Sequence, residues 1–334
     1  MDKYGYRFSF GPWNIHEGAD PFGPPVRPTI AFDRKLAVLK ELGYDAMQFH
    51  DDDAVPDLDD KSPAQIAQEA QAMRRRLEDN GLVAEFVAPR LWEHPNTIDG
   101  AFTSNQPALR EYAIERSKKA ADIAREMGTT LMVLWLAREG TYLREAKDPV
   151  AATHQLLAAV DALLEYDPDL RIAIEPKPNE PMDMAYIPTI GHALALAFQS
   201  RAPDRVGCLV ESAHAILAGL DPSDEMAFAL AFDKLYSVHL NDQNGLKFDE
   251  DKSFGSVDLR RAFNQVRVLD DNRFFEKGIV GMDEKALTGN AQAGAIVPQR
   301  EWPVEVSWCG WRARSTASES TNCAPPAIMK SWTG

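Results

Sequence analysis

The sequence is poor in cysteine, and it contains no long apolar run. Its three cysteines (Cys208, Cys309 and Cys323) cannot form a disulfide framework, which is typical of a protein in a reducing compartment. No apolar stretch approaches the roughly 20 residues that a membrane-spanning helix needs. The first residues lack a basic segment followed by an apolar one, so we find no secretion signal there. We therefore expect a cytoplasmic protein without a membrane partner.

Basic residues are outnumbered by acidic ones, 36 to 51, which gives a formal net charge of −15. An acidic surface of this kind repels phosphate backbones and anionic lipids, so we expect neither nucleic acid nor a membrane surface as a partner. Hydrophobic residues make up 45% of the chain and charged residues 26%, as in ordinary globular proteins. No G-x-G-x-x-G motif follows the first apolar segment, which argues against a dinucleotide-binding fold.

Short apolar segments alternate with longer helical patterns along the chain, and this alternation indicates βαβ units with a parallel sheet. The predicted strands cover residues 7–10, 46–49, 83–88, 130–135, 171–175, 206–210, 235–240 and 279–282. The helices predicted between them include residues 63–80, 107–127, 149–166 and 222–232. Because the strands fall into eight units, the sequence favours an α/β fold of the closed (β/α)8 TIM-barrel type over an open sheet.

The composition changes after residue 285. Residues 286–334 hold four of the seven tryptophans and two of the three cysteines, and they lack helical periodicity where a closing helix is expected. We therefore predict a TIM-barrel domain over residues 1–285 and an atypical C-terminal tail over residues 286–334. Two interpretations of the tail stay open: a shifted reading frame that produced a non-native end, and a natural but poorly ordered end.

In a TIM barrel the functional side chains lie at the carboxyl ends of the strands, so the polar residues there are the candidates. Acidic residues and histidines lie at or after the ends of the last four predicted strands: Glu175, Glu211, His214, His239, Asp249, Asp251 and Asp283. Seven such groups on one rim would repel one another without a cation. Carboxylate and imidazole groups suit Mg, Mn or Co, so we predict two divalent cations.

Other strand ends supply further candidates. His50 and Asp53 in the segment HDDD are spaced to form an imidazole–carboxylate pair, and an acidic helix cap is the alternative. Lys177 lies in a proline-rich turn, where it belongs either to a preorganised site or to a surface ion pair. Large aromatic side chains near three strand ends are suited to stack on a sugar or to pack in the core: Trp13, Trp92 and Trp135.

The sequence resembles the xylose isomerases in several segments, which occur in the same order along the chain. The similar segments include FSFGPW, DPFG, FHDDD, AIEPKPNEP, PTIGHALA, DQNGLKFDED and MDEK, and they run from about Tyr6 to about Lys285. The resemblance implies a (β/α)8 barrel, usually a homotetramer, that interconverts an aldose and a ketose. It thus implies conversion of D-xylose to D-xylulose, or of a related sugar, by a metal-assisted 1,2-hydride shift with two divalent cations.

The resemblance also implies a role for each candidate. The first cation would be held by Glu175, Glu211, His239 and Asp283. The second would be held by Glu211, His214, Asp249 and Asp251, with Glu211 shared. His50 with Asp53 would assist ring opening, and Lys177 would bind the carbonyl end of the substrate. Trp13 and Trp135 would line the pocket, and Phe22 would reach into the site of a neighbouring subunit in a dimer or tetramer.

The sequence departs from the family pattern around the predicted pocket. His239 lies where xylose isomerases typically have aspartate, so the first site has one negative charge fewer, as in rhamnose isomerases. Trp92 replaces a smaller aromatic residue. These differences leave the preferred sugar open. Two alternative functions also stay open: a ketose epimerase with a single metal and two carboxylates that exchange a proton, and a sugar-binding descendant without catalysis.

Overall fold

The computed structural model describes residues 5–15, 28–246 and 248–284. Ten strands lie within these residues: β1 (Phe8–Phe10), β2 (Ala46–His50), β3 (Val83–Ala88), β4 (Leu131–Trp135), β5 (Gly140–Thr141), β6 (Arg171–Glu175), β7 (Met184–Ala185), β8 (Val206–Glu211), β9 (Leu235–Leu240) and β10 (Val280–Met282). Nine α-helices lie there too: α1 (Phe32–Leu42), α2 (Asp51–Ala54), α3 (Pro63–Asp79), α4 (Pro107–Met127), α5 (Pro149–Tyr166), α6 (Ile190–Gln199), α7 (Ser212–Leu217), α8 (Pro222–Ala231) and α9 (Leu259–Asp271).

Eight of the strands form a closed barrel in the order β1-β10-β9-β8-β6-β4-β3-β2, and all neighbouring pairs are parallel. The remaining two, β5 and β7, form a short antiparallel pair outside it. The predicted (β/α)8 TIM barrel is confirmed. Because all the barrel strands run the same way, their carboxyl ends lie on one rim, where strand-end side chains from distant parts of the sequence meet.

Local sequence signals explain where the long helices begin and end. Ser62 caps α3, where its hydroxyl accepts the Gln65 backbone N–H and its own backbone N–H donates to the Gln65 side chain. Proline occupies the first turn of α3, α4, α5 and α8, where its missing N–H costs nothing. Helix α4 ends at Gly128, whose φ of 85° is a left-handed conformation that glycine adopts without strain.

Buried apolar side chains of the barrel strands form a hydrophobic cluster, against which Trp13 packs: Phe86, Ala88, Leu131, Val133, Ala173, Leu209 and Tyr236. No helix in the described part of the chain combines the length and hydropathy needed to cross a bilayer. The atypical tail predicted over residues 286–334 lies outside the described residues, and so does the place of the closing helix.

Candidate metal centre and substrate pocket

The predicted ligands of the first cation converge at the carboxyl ends of four strands. Glu175 and Glu211 are the last residues of β6 and β8. His239 lies one residue before the end of β9, and Asp283 directly follows β10. The four side chains thus come from strands that are neighbours in the barrel, although the sequence separates them by up to 108 residues.

The spacing of these four side chains fits a bound divalent cation. Nδ1 of His239 lies 3.4 Å from Glu175 Oε1, 3.5 Å from Glu211 Oε2 and 3.5 Å from Asp283 Oδ2. Two ligands that each lie about 2.1 Å from a tetrahedral ion are about 3.4 Å apart. His239 is buried, yet neither of its ring nitrogens makes a hydrogen bond with the described residues. A bound metal ion would give Nδ1 a partner, and a buried polar atom without a partner would otherwise be unfavourable.

A second set of ligands adjoins the first and shares one residue with it. Nε2 of His214 lies 3.3 Å from Glu211 Oε1 and 3.3 Å from Asp249 Oδ2. Glu211, Asp249 and Asp251 also offer oxygens within 4.8 Å of one another. Glu211 belongs to all three potential metal-binding groups found among the described residues. The two predicted ligand sets therefore lie side by side and have Glu211 in common.

The site binds protons when it lacks a cation. Burial opposes protonation of His239, but Glu175, Glu211 and Asp283 outweigh burial and raise its pKa well above the usual value. Burial raises the pKa of Glu175 to about 7. Burial acts in the same direction on Glu211, but the neighbouring His214 lowers the pKa of this carboxylate to about 2. Protons held by His239 and Glu175 must leave before these residues ligate a metal, so protons and metal compete.

Lys177 places a buried positive charge beside the second set of ligands. Its Nζ lies 2.7 Å from Asp249 Oδ2 and 3.5 Å from Glu180 Oε2. Nζ also lies 5.0 Å from the ring centroid of Trp135. Burial disfavours the ammonium form, but Asp249 and Glu180 outweigh burial and raise the pKa of Lys177. Lys177 is therefore a hydrogen-bond donor at neutral pH rather than a base.

Aromatic side chains connect the cluster to His50. The Trp13 Nε1–H donates to Asp283 Oδ1 over 2.9 Å, and the Trp13 ring lies 4.3 Å from the His50 ring. Trp92 contacts His50 edge to face at 5.0 Å and Trp135 at 4.6 Å. All three tryptophans thus lie on the same rim as the carboxylates. Such rings offer faces for stacking on the C–H surface of a sugar.

The predicted His50–Asp53 pair is present, but a third residue joins it. Nδ1 of His50 lies 3.0 Å from Asp53 Oδ2 and 2.8 Å from Nη2 of Arg90. Burial would raise the pKa of Asp53, but its contact with His50 and the charge of Arg90 lower it to about 2. Arg90 follows β3, and nothing in the segment HDDD points to it, because the two are brought together only by the neighbouring strands β2 and β3.

The other two aspartates of the HDDD segment, Asp51 and Asp52, form structural ion pairs and hydrogen bonds. Asp51 is buried and accepts hydrogen bonds from Arg116 through both oxygens, at 2.9 Å each. It also accepts from the Arg90 backbone N–H at 3.1 Å. Asp52 pairs with the Arg90 side chain at 2.8 Å. The aspartates of this one segment thus have different roles: Asp53 contacts His50 in the candidate site, whereas Asp51 and Asp52 stabilise the structure around it.

Two further polar residues support the centre. Asn241 donates from Nδ2 to Glu211 Oε1 at 2.9 Å and to Asp251 Oδ1 at 3.0 Å, so it orients ligands of both sets. Asn241 directly follows β9 and continues the alternation of the polar residues Ser237 and His239, a pattern that is visible in the sequence. Glu85 lies buried in β3, where it accepts hydrogen bonds from Ser9 and Ser237. Nothing in its local sequence pointed to this network.

All site residues predicted from the sequence except one lie in the described part of the chain and on this rim. The exception is Phe22, which lies outside the described residues, so its predicted reach into a neighbouring subunit stays a prediction.

Comparison with known proteins identifies the family. The family model described as xylose isomerase-like TIM barrel matches residues 36–285. A D-tagatose 3-epimerase-like protein superposes with a TM-score of 0.66 at 13% identity, covering 93% of this chain and 100% of that chain. The IOLI protein with a binding zinc atom gives a TM-score of 0.58 at 15% identity, covering 95% of this chain and 100% of that chain. D-psicose 3-epimerase from Clostridium cellulolyticum H10, with D-tagatose, gives 0.56 at 12% identity, covering 86% and 88%.

At these identities the structural likeness shows a common fold and leaves the activity to be argued from the site. The family match spans three quarters of the sequence and includes nearly all of the rim residues described above. The chain belongs to the xylose isomerase-like TIM barrel family.

Proposed function

We propose that the protein is a divalent-metal-dependent isomerase that converts an aldose to a ketose, with D-xylose and D-xylulose or a related pair as substrate and product. The observation that carries this proposal is the position of Lys177, whose buried ammonium lies 2.7 Å from Asp249, a member of the second set of candidate cation ligands. A sugar bound there would have a fixed positive donor on one side and the acidic cluster on the other.

Each group on the rim has a task in this proposal. A divalent cation held by the acidic cluster would supply Lewis-acid polarisation of the sugar oxygens. Lys177 would donate a hydrogen bond to the carbonyl oxygen and stabilise negative charge that develops there. His50 would contact the ring oxygen or the anomeric hydroxyl during ring opening. The tryptophans would cover the C–H faces of the sugar and exclude water from the reacting carbons.

The test is ketose formation from D-xylose and a panel of other aldoses, with Mg, Mn or Co added and with EDTA. We expect turnover that requires the cation. Lys177→Met should lower it at least 100-fold, since a donor to developing charge contributes on this scale. The matched control is Lys277→Met, because Lys277 pairs with Asp233 at the surface and its substitution should leave turnover unchanged. Full activity of the Lys177 variant would contradict the proposal.

A single-metal ketose epimerase is the second candidate. It is supported by the position of His239, which lies 3.4–3.5 Å from Glu175, Glu211 and Asp283. Structural neighbours that are named as 3-epimerases, or as similar to one, also support it. In this reaction two carboxylates would exchange a proton with the sugar carbon, so deuterium from D2O enters the product. A hydride shift between C2 and C1 mostly retains the original hydrogen. Mass spectrometry of the product formed in D2O therefore separates the two reactions.

A sugar-binding protein without catalysis is the remaining alternative. Saturable sugar binding by a folded, cation-loaded chain without any turnover on ketoses or aldoses would favour it. The proposed assembly into a dimer or tetramer rests on the family resemblance alone. Light scattering on the purified chain measures the mass and decides between the assemblies.

A further inference from the structure

The side chain of His50 has two contacts that cannot both be hydrogen bonds. Nη2 of Arg90 lies 2.8 Å from Nδ1, and Oδ2 of Asp53 lies 3.0 Å from the same nitrogen. A guanidinium has only donors, so its contact requires an Nδ1 without a proton. A carboxylate only accepts, so its contact would require a protonated Nδ1. One of the two partners therefore decides the tautomer of the ring.

The Asp53 carboxylate is already engaged elsewhere. Its Oδ2 accepts the backbone N–H of His50 at 3.0 Å, and its Oδ1 lies 3.5 Å from the Arg90 guanidinium. Asp53 thus has a donor at each oxygen without the imidazole proton. Both Asp53 oxygens would therefore keep a donor even if the His50 ring donated no hydrogen bond to this carboxylate.

The guanidinium of Arg90 is fixed in its position beside the imidazole. It pairs with Asp52 Oδ1 at 2.8 Å and lies 3.6 Å from Glu93 Oε1. Its central carbon lies 5.4 Å from the centroid of Trp92, a cation–π arrangement. The Arg90 backbone is held as well, because its N–H donates to the buried Asp51. The guanidinium donor at Nδ1 is therefore held in place by contacts of both the Arg90 side chain and the Arg90 backbone.

We propose that Arg90 is a positioning residue that keeps Nδ1 of His50 unprotonated, so that the neutral ring carries its proton on Nε2. Nε2 makes no hydrogen bond with any described residue, and the ring lies between Trp13 and Trp92. His50 then presents a hydrogen-bond donor to whatever binds on the rim. The ligand atom that it fits is an acceptor, such as a sugar ring oxygen or a carbonyl oxygen.

This inference deepens the proposed function, and only its last step depends on that function. If the substrate is a sugar, His50 would donate a hydrogen bond to the ring oxygen, with no proton transferred, rather than accept the proton of the anomeric hydroxyl. The tautomer itself does not depend on turnover. It is fixed by the protein and is measurable without any sugar.

The experiment is a long-range ¹H–¹⁵N correlation spectrum of the full chain with ¹⁵N-labelled histidine, recorded where the rings are neutral. The chain has seven histidines, and the signals of His50 are those missing from the His50→Gln spectrum. We expect the pattern of a protonated Nε2 and an unprotonated Nδ1. A proton on Nδ1 of the wild-type ring would overturn the proposal, whether or not the protein turns over a sugar.

The variant Arg90→Met tests the role of the arginine. With the guanidinium removed, the Asp53 carboxylate is the remaining side-chain partner of Nδ1, so the proton should move from Nε2 to Nδ1. Arg74→Met is the matched control, because Arg74 forms an exposed pair with Glu78 on α3 and should leave the His50 pattern unchanged. A folded Arg90 variant that keeps its proton on Nε2 would show that Arg90 does not set the tautomer. If this variant fails to fold, the wild-type spectrum still decides.

Discussion

At the scale of single residues, Glu211 is the residue on which the proposed cation site depends most, because it belongs to all three groups of potential ligands. Glu211→Gln keeps the size of the side chain and removes its charge. We expect cation affinity to fall by more than the roughly 10–100-fold that outer-shell changes cost. Isothermal titration of the apo protein with Mn²⁺ measures the change.

The matched control for this change is Glu78→Gln. Glu78 lies on α3 and forms an exposed pair with Arg74, far in sequence from every strand end of the cluster. Its substitution should leave the cation affinity within error of wild type. Equal affinities of all three proteins would place the cation somewhere other than the rim.

The pH dependence of cation binding follows from the protons that the apo site holds. The pKa of Glu175 is raised to about 7, and that of His239 is raised well above its usual value. Both groups must lose their protons to ligate a cation, so affinity should rise with pH through 7 and beyond. Titration in two buffers of different ionisation enthalpy counts the protons released. No proton release near neutral pH would contradict the proposed ligand set.

At the scale of elements, a buried ion pair joins α2, α4 and the loop after β3. Asp51 opens α2 and pairs with Arg116 of α4, while it also accepts the Arg90 backbone N–H. Asp51→Asn would remove the buried carboxylate that contacts the Arg116 guanidinium at 2.9 Å, and it would leave only the longer contacts with Asp52 at 3.4 Å and Asp59 at 3.7 Å. We expect a loss of about 3–5 kcal/mol in the free energy of unfolding, measured by urea denaturation.

The control for this pair is Asp33→Asn. Asp33 pairs with Arg76 at the surface, where its side chain is 83% exposed, and such pairs contribute little. Its substitution should not shift the urea midpoint measurably. A similar loss in the free energy of unfolding in both variants would mean that the buried Asp51 pair contributes no more than a surface pair.

The sequence predicts the positions of the long helices closely. The long helices α4 and α5 run over the predicted residues, and α3 and α8 end one residue earlier than predicted. Proline lies in the first turn of all four helices, and glycine lies just after the ends of α3 and α4. The short pair β5 and β7 was not predicted, because strands of two residues carry no periodic pattern.

At the scale of the whole molecule, a cation should stabilise the fold. The cluster gathers Glu175, Glu211, Asp249 and Asp283 on one rim, and their mutual repulsion opposes folding. An ion that binds only the native state adds about 2.7 kcal/mol at a concentration 100 times its dissociation constant. We expect the melting temperature to rise with Mg²⁺ or Mn²⁺ and to fall back with EDTA. A melting temperature indifferent to both would contradict the two-cation site.

The sequence by itself determined the barrel and the set of polar residues at the strand ends that are candidate ligands, since periodicity, helix ends and polar residues after apolar strands are local signals. Only the tertiary structure decided which partners these ligands have. Arg90 reaches His50 across neighbouring strands, and Lys177 reaches Asp249 across 72 residues of sequence. Such contacts depend on barrel closure, which sets distances between residues that no local pattern relates. The chemistry of the rim therefore depends on contacts that come into existence only when the barrel closes.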